Sequence, residues 1–390
     1  MKITPRLAVT LTFIAFGMMV GSQIGAFPIL RAQSSVDSFA FGILAGLATA
    51  ANVLALSLGG FINRRFDHRS VLLFILPVGF AAMMTSLTSH SIWAFGLTFM
   101  LFNFALGITD LFMNAEASIV EHDAGKPIFS SFHAAVLYAM GLSALVSGYI
   151  AVKFGAIWAT PVAVPFVAAA IWAVSKAIPH RIHEANEVKP TIVLPRKILI
   201  LLGIIIGLDV AAELTCVQWS GQLLSDMQPT LAQYSGLGLA FYGLCNGTVR
   251  LFGDQLRKRF SDMTLVAASF VVGTIGFGIL ATGPGFAISV CAFALAGFGL
   301  ALIFPCLFSV TAHLVPQARA AALAYASAIS GPPRIFLPMV LGVLAQTYGL
   351  NAIYVAAGLA CVLALAFTYW AAREIARQKG VLVYQHPSHS

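Results

Sequence analysis

Charge is what this chain has least of. Only 9% of its 390 residues are Asp, Glu, Lys or Arg, whereas 59% are apolar and the mean hydropathy is +0.90. Soluble globular proteins carry about 25% charged residues, so a set of soluble domains is excluded. Cysteine is scarce too. Cys216, Cys245, Cys291, Cys306 and Cys361 all lie in apolar stretches, with no pair at metal-ligand spacing, and read as small core residues. The sequence also lacks His-Glu-x-x-His, Gly-x-Ser-x-Gly and Gly-x-Gly-Asp arrangements and a Walker-type phosphate loop. A membrane enzyme therefore has no candidate constellation, and ATP-driven pumping has no nucleotide site. No metal or cofactor is expected; His386-Pro-Ser-His389 is too short for a metal site.

Long apolar runs are what the chain does have. They are about 20 residues long and continuous, unlike the alternating ten-residue strands of a barrel, so the spanning element is the helix. The first run, Leu7 to Leu30, is too long for a signal peptide and contains Gln23, so it reads as a retained span. Gly, Pro and charge clusters divide the runs into twelve spans: 7–30, 39–62, 70–88, 92–116, 128–151, 157–178, 198–224, 235–255, 263–282, 286–312, 320–346 and 351–372. An even count places both termini on one side. Eighteen of the 22 basic residues fall on that side: Lys2, Arg6, Arg64, Arg65, Arg69, Lys126, Lys176, Arg181, Lys189, Arg196, Lys197, Arg257, Lys258, Arg259, Arg319, Arg373, Arg377 and Lys379. Only Arg31 and Lys153 lie opposite, which predicts cytoplasmic termini. The net charge of +8 is then a topology signal, and no nucleic-acid partner is expected.

The longest polar stretch, 179–197, holds His180, His183, Glu184, Glu187 and Lys189 and separates six spans from six. Two bundles, 1–178 and 198–372, with a tail at 373–390, are expected. An internal repeat supports the division. Gly59-Gly-Phe-Ile-Asn-Arg-Arg-Phe-Asp-His68 aligns without gaps on Gly253-Asp-Gln-Leu-Arg-Lys-Arg-Phe-Ser-Asp262, and Phe104–Asn114 falls on Gly299–Ser309, setting Asp110 opposite Pro305. Paired bundles with a site between them are a recurring plan of secondary transporters.

Along essentially its full length the chain resembles the major facilitator superfamily. The basic turns at 59–69 and 253–263 resemble its glycine, acid and arginine-rich signature, with Asn63 where an acid is usual and Phe66 where a glycine is usual. Asp110–Glu121, Glu213–Trp219, Gly297–Pro305 and Gly331-Pro-Pro333 are similar to the fucose-permease-like bacterial group. The resemblance implies an all-α polytopic fold of two pseudo-symmetric six-helix bundles in a bacterial inner membrane. It also implies a small-molecule substrate, protons as coupling partner and a monomer among membrane lipids.

An ionisable side chain in hydrocarbon costs roughly 2.5–3.5 kcal/mol on insertion scales, so such residues mark water paths or bundle interiors. Asp110 and Asn114 share a face of span 4, whereas Glu116 points about 240° from Asp110. Asp110 could bind and release a proton as its surroundings alternate, or simply pin span 4 to its neighbours. Asp209 and Glu213 stack four apart in span 7, an arrangement that favours a shared proton or a cationic partner. With Glu116 and His133 these are the proton-coupling candidates. Arg250 and Asp254, four apart, read as an ion pair, and with Arg64, Arg65, Arg257 and Arg259 they are the gating candidates. Gln23, Asn52, Asn103, Asn114, Tyr138, Gln218, Trp219, Tyr242, Asn246, Tyr325 and Arg334 are the substrate-binding candidates. Trp219 suits a substrate ring or an interface anchor equally. Arg334, after Gly331-Pro332-Pro333, suits an anionic group or a membrane carboxylate.

The expected function is alternating-access, proton-coupled symport of a small polar organic solute. An exporter of the same fold is the rival; the superfamily's drug antiporters carry a Gly-Pro motif in span 5, and Ala134–Ile150 has no proline.

Overall fold

The structure, a computed structural model, describes residues 3–125, 128–180 and 194–385, without the side chains of 320 and 378–385. Most of the expected linker, 181–193, lies outside the described residues, with Arg181, His183, Glu184, Glu187 and Lys189. Lys2, Lys126, His386 and His389 lie outside them too.

Among the described residues the elements are all helical. The first bundle holds α1 (Pro5–Gly25), α2 (Phe27–Gln33), α3 (Ser38–Arg65), α4 (His68–Leu87), α5 (Ile92–Ala124), α6 (Phe129–Phe154) and α7 (Thr160–Ala177). The second holds α8 (Arg196–Met227), α9 (Leu237–Arg257), α10 (Asp262–Ala281), α11 (Phe286–Leu300), α12 (Ile303–Leu314), α13 (Arg319–Tyr348) and α14 (Asn351–Gln385). Eleven helices among the described residues are long and apolar enough to cross a membrane. The twelfth span, α9, has the length but carries Asn246, Arg250, Asp254 and Arg257.

Two expected single spans are broken, both at proline. Pro28 has no N–H for the carbonyl of Ile24, so the first span ends at Gly25 and restarts as α2. Pro305 likewise has none for Ala301, and the tenth span is interrupted between Leu300 and Ile303. Spans 4 and 7 run further than expected, to Ala124 and Met227.

Capping follows the repeat. Asp67 caps α4 by accepting from Ser70 N, and Ser261, its counterpart 194 positions on, caps α10 by accepting from Thr264 N. Lipid tails are as apolar as leucine, so helices in a membrane associate by close packing. Gly17, Gly21 and Gly25 form a small-residue stripe along α1, where the backbone of α6 approaches so closely that a Cβ on Gly21 would collide with the Met140 carbonyl. Large apolar side chains such as Phe74, Trp93 and Leu97 point outward from the bundles.

The halves meet along α6 with α9 and α3 with α13. On the face opposite the N-terminus, here the far face, α3 and α13 touch backbone to backbone: a Cβ on Gly42 would come 2.5 Å from the Gly342 Cα.

Overpacking the α1–α6 seam costs at least about 1–3 kcal/mol. Gly21→Val is therefore expected to lower the melting temperature in detergent, whereas Gly60→Ala, which faces open space, is expected to leave it within about a degree or two of wild type. Equal melting temperatures for both variants would contradict this packing.

Candidate functional site

A cavity of about 250 Å³ lies between the two bundles. From the first come Phe16, Val20, Gln23, Ile24 and Phe27, then Thr49 and Asn52 of α3, then Phe99, Phe102, Asn103, Leu106 and Asp110 of α5. From the second come Leu214, Val217 and Gln218 of α8 and Arg334 of α13. Of the expected substrate residues, Gln23, Asn52, Asn103, Gln218 and Arg334 line it. Asp110 and Arg334, the only charged residues of the lining, act on each other electrostatically without a direct ion pair.

The far side of this cavity is sealed by contacts between halves. Arg31, buried at the end of α2, donates from Nη1 to Gln222 Oε1 (3.3 Å) and from Nη2 to Ser38 Oγ (3.2 Å). Its guanidinium lies 4.6 Å from the centre of the Phe41 ring and 5.2 Å from that of Trp219. Phe41 and Trp219 meet edge to face at 4.9 Å, and Ser38 N donates to Gln346 Oε1 at 3.2 Å. Trp219 thus belongs to the seal, fully buried, and does not line the cavity. Thr49 of the lining was missed by sequence reasoning, as was Arg31, counted only as a topology charge. Its position just past Pro28, on a face with only one other basic residue, was the available signal.

Toward the face bearing the N-terminus, the near face, a second cavity of about 380 Å³ separates the halves. Glu121, Phe129, Ser130 and His133 line one side; Arg250, Gly253, Asp254, Arg257, Leu302, Phe304, Pro305 and Phe308 line the other. One polar chain runs between the cavities, and a polar cluster in the other half reaches the second cavity through Arg250. In the first bundle, His133 Nε2 lies 3.1 Å from Asn114 Oδ1, and Asn114 Nδ2 donates to Asp110 Oδ1 at 2.9 Å. In the second, Glu213 Oε1 accepts from Arg250 Nη2 (3.3 Å), Tyr242 Oη (3.2 Å) and Asn246 Nδ2 (3.3 Å). Asp209, one turn earlier, is fully buried with no hydrogen-bond partner for either carboxyl oxygen.

The expected Arg250–Asp254 pair is not formed. Arg250 turns into the bundle to the partly buried Glu213, while Asp254 stays half exposed and reaches Arg257 at 3.9 Å. Glu116 sits apart from both cavities: its Oε1 lies 2.6 Å from His68 Nδ1, and His68 Nε2 lies 2.8 Å from Asn63 Oδ1. The repeat reappears here, because Arg257 Nε donates to Asp262 Oδ1 at 2.8 Å at the positions matching Asn63 and His68. Arg64 Nε donates to the Gly60 carbonyl, Arg65 stacks on Phe61, and Arg259 is exposed. Tyr138 joins the halves through Thr248 at 3.1 Å, and Tyr325 packs near Leu199 and Ala322.

Twelve spans in two bundles around a largely apolar cavity that holds Asp110 and Arg334 fit a multi-pass membrane transporter. The model of the Major Facilitator Superfamily matches residues 9–332, and the chain belongs to that family. It is 28% identical over 351 residues to an uncharacterized transporter of Sinorhizobium fredii, covering 85% of this chain and 90% of that one. It is 24% identical to an uncharacterized MFS-type transporter of Yersinia pestis, covering 89% and 92%. Among solved structures it resembles a point mutant of the nucleoside transporter NupG (TM-score 0.78, 14% identity, 94% of this chain and 100% of that one). It also resembles a D-xylose-proton symporter (TM-score 0.73, 16% identity, 93% and 96%).

Removing one partner of a buried ion pair costs up to about 3–5 kcal/mol, less when the pair is partly exposed as here. Arg250→Met alone is expected to lower the melting temperature more than Arg250→Met combined with Glu213→Gln. Strict additivity of the two substitutions in this cycle would show that the pair is not coupled.

Proposed function

We propose that this chain is a secondary active transporter carrying a small polar organic solute into a bacterial cell across the inner membrane, by alternating access and coupled to protons. The observation that carries the reading is the central cavity, with Asp110 and Arg334 on walls belonging to different halves and a cross-half seal on its far side. A site built from two bodies changes its exposure when the bodies rock, which is the geometric requirement of alternating access. The moving bodies are 1–178 and 198–372, joined by 179–197 and followed by the tail 373–390. The excess of basic loop residues supports reading the near face as cytoplasmic; on that reading the arrangement is closed outward, with its second cavity on the inner side.

Proton coupling rests on the acids that the inter-half region holds. Asp110 faces the cavity, and Asp209 and Glu213 stand beside Arg250 and Arg334. Solute entering between Asp110 and Arg334 alters the field on both, and through Arg334 that on Glu213, which links solute occupancy to proton occupancy. His133 and Asn114 connect Asp110 to the inner cavity. Uptake is preferred to export because α6 runs without proline from Phe129 to Phe154.

The test is flux. In proteoliposomes with an imposed pH gradient, at least one solute from a panel of labelled sugars, nucleosides, amino acids and organic acids is expected to accumulate, and a protonophore to abolish it. Asp110→Asn and Glu213→Gln are each expected to reduce gradient-driven accumulation about tenfold or more. Absence of gradient-dependent flux for every solute would overturn coupled transport. Unchanged uptake and pH dependence in both variants would overturn the assignment of the acids.

A further inference from the structure

The outer surface of the second half carries a groove that solute transport does not use. It lies between α10 and α14, has a volume of about 680 Å³, and runs from Ser261 and Ala372 at its near-face end to Ala267 and Val362 deeper in the spans. Small side chains make it. Ala267 of α10 and Ala366 of α14 leave space that Met263 and Leu365 beside them do not fill. Val362, Ala366 and Tyr369 are exposed, so the groove opens outward, away from both cavities between the halves. At hydrocarbon depth the cover for such apolar walls is a lipid chain, because water gains nothing there.

The near-face end is chemically different. Tyr369 and Trp370, 66% and 52% exposed, are aromatics of the kind that sit at headgroup level. The Arg373 guanidinium lies 5.5 Å from the centre of the Tyr369 ring, and Arg373 follows the lining residue Ala372 directly. On the α10 side, Lys258 and Arg259 come three and two residues before Ser261. The carboxylates of this corner are already engaged. Asp262 accepts from Arg257 at 2.8 Å, Asp254 reaches the same arginine at 3.9 Å, and Glu374 lies 3.1 Å from Lys197. Lys258, Arg259 and Arg373 are exposed and belong to none of these pairs, so this end carries three cations without an acid partner among the described residues. Hydrogen-bond donors add to them. Ser261 Oγ and Thr264 Oγ1 lie 2.7 Å apart, and a bond between two hydroxyls uses one hydrogen and leaves the other. The first two N–H groups of α10, those of Asp262 and Met263, have no acceptor within the helix.

We propose that this groove holds one acyl chain of an anionic glycerophospholipid from the near-face leaflet, with its phosphate set between Arg259 and Arg373. A phosphodiester only accepts hydrogen bonds, so it matches the cations and the leftover donors, while the alanine floor takes the chain. A zwitterionic headgroup brings its own ammonium to a corner with no free acid and gains less. Basic residues at the membrane surface attract anionic lipid by about fivefold in affinity each, and three of them stand at this end. The site rests on the fold alone, and it stands whether or not the central cavity carries a solute.

The test is native mass spectrometry with thermal shift on the purified full-length protein, delipidated in detergent. It is titrated with phosphatidylglycerol, with phosphatidylcholine, and with glycerol 3-phosphate, which has the phosphate but no chains. Phosphatidylglycerol is expected to bind at least about tenfold tighter than phosphatidylcholine and to raise the melting temperature, and glycerol 3-phosphate to do neither. Arg259→Gln combined with Arg373→Gln is expected to remove the preference and leave phosphatidylcholine binding as it was. Ala366→Phe fills the groove from an exposed position and is expected to weaken phosphatidylglycerol about tenfold or more. Ala267→Leu is a second filling variant with the same expected direction. Lys176→Gln, an exposed cation at the near-face end of α7, is expected to change nothing. Melting temperatures of the lipid-free variants report folding separately. The proposal fails if the two lipids bind equally or if glycerol 3-phosphate binds as tightly as phosphatidylglycerol. It fails also if Lys176→Gln weakens binding as much as the arginine pair does, or if the arginine and filling variants keep wild-type affinity.

Discussion

Charge in a low-dielectric interior must be answered by opposite charge or by hydrogen bonds, and this chain concentrates that demand where its two halves meet. Asp110, Asp209, Glu213, Arg250 and Arg334 are drawn from four helices of both bundles, and none has a compensating environment within its own helix alone. Glu213 shows the economy of the arrangement: one oxygen takes donors from Tyr242, Asn246 and Arg250, all on α9. That is also why α9 is the least apolar span. Its polar face is useful only where α8 brings an acid to it, so the composition of one helix is set by the chemistry of another.

The two bundles share a plan but spend it differently. Where α5 has Asp110, the tenth span has Pro305, so one half gains a cavity-facing acid and the other a break in its helix. At the near-face turns the geometry is kept while the chemistry changes: Asn63 and His68 in the first half, Arg257 and Asp262 in the second, are each joined at 2.8 Å. His68 then reaches Glu116, a contact without a counterpart in the sequence signature. The family's usual acid at position 63 is thus replaced by a neutral side chain within an intact hydrogen-bonded turn.

Much of the fold was legible in the sequence because membrane spans obey a strong rule: a helix must satisfy its own backbone over about 20 apolar residues. The repeat and the acids of spans 4 and 7 were legible for the same reason, since polar residues stand out against such a background. Partners were not legible. Arg250 has Asp254 four residues away, the natural sequence-local choice, yet bonds Glu213, 37 positions distant. Phe16, Phe27, Phe99 and Phe102 line the cavity, but an apolar residue in a span reads alike whether it faces lipid, core or solute. Trp219 was ambiguous on the same ground until Phe41 and Arg31 were placed against it.

The far-face seal is built from contacts of modest individual strength. Its cross-half parts are one hydrogen bond from Arg31 to Gln222, one from Ser38 N to Gln346, an edge-to-face aromatic pair and the contact of the Arg31 guanidinium with Trp219. Hydrogen bonds and ring contacts of these kinds each contribute about 0.5–2 kcal/mol, and they share partners, so their sum is smaller than separate values suggest. The backbone approach of Gly42 to Gly342 adds close packing but no side chain that must be extracted on opening. The small residues at the α3–α13 crossing and the buried Arg31 thus close the far side of the cavity through many small contacts shared between few side chains.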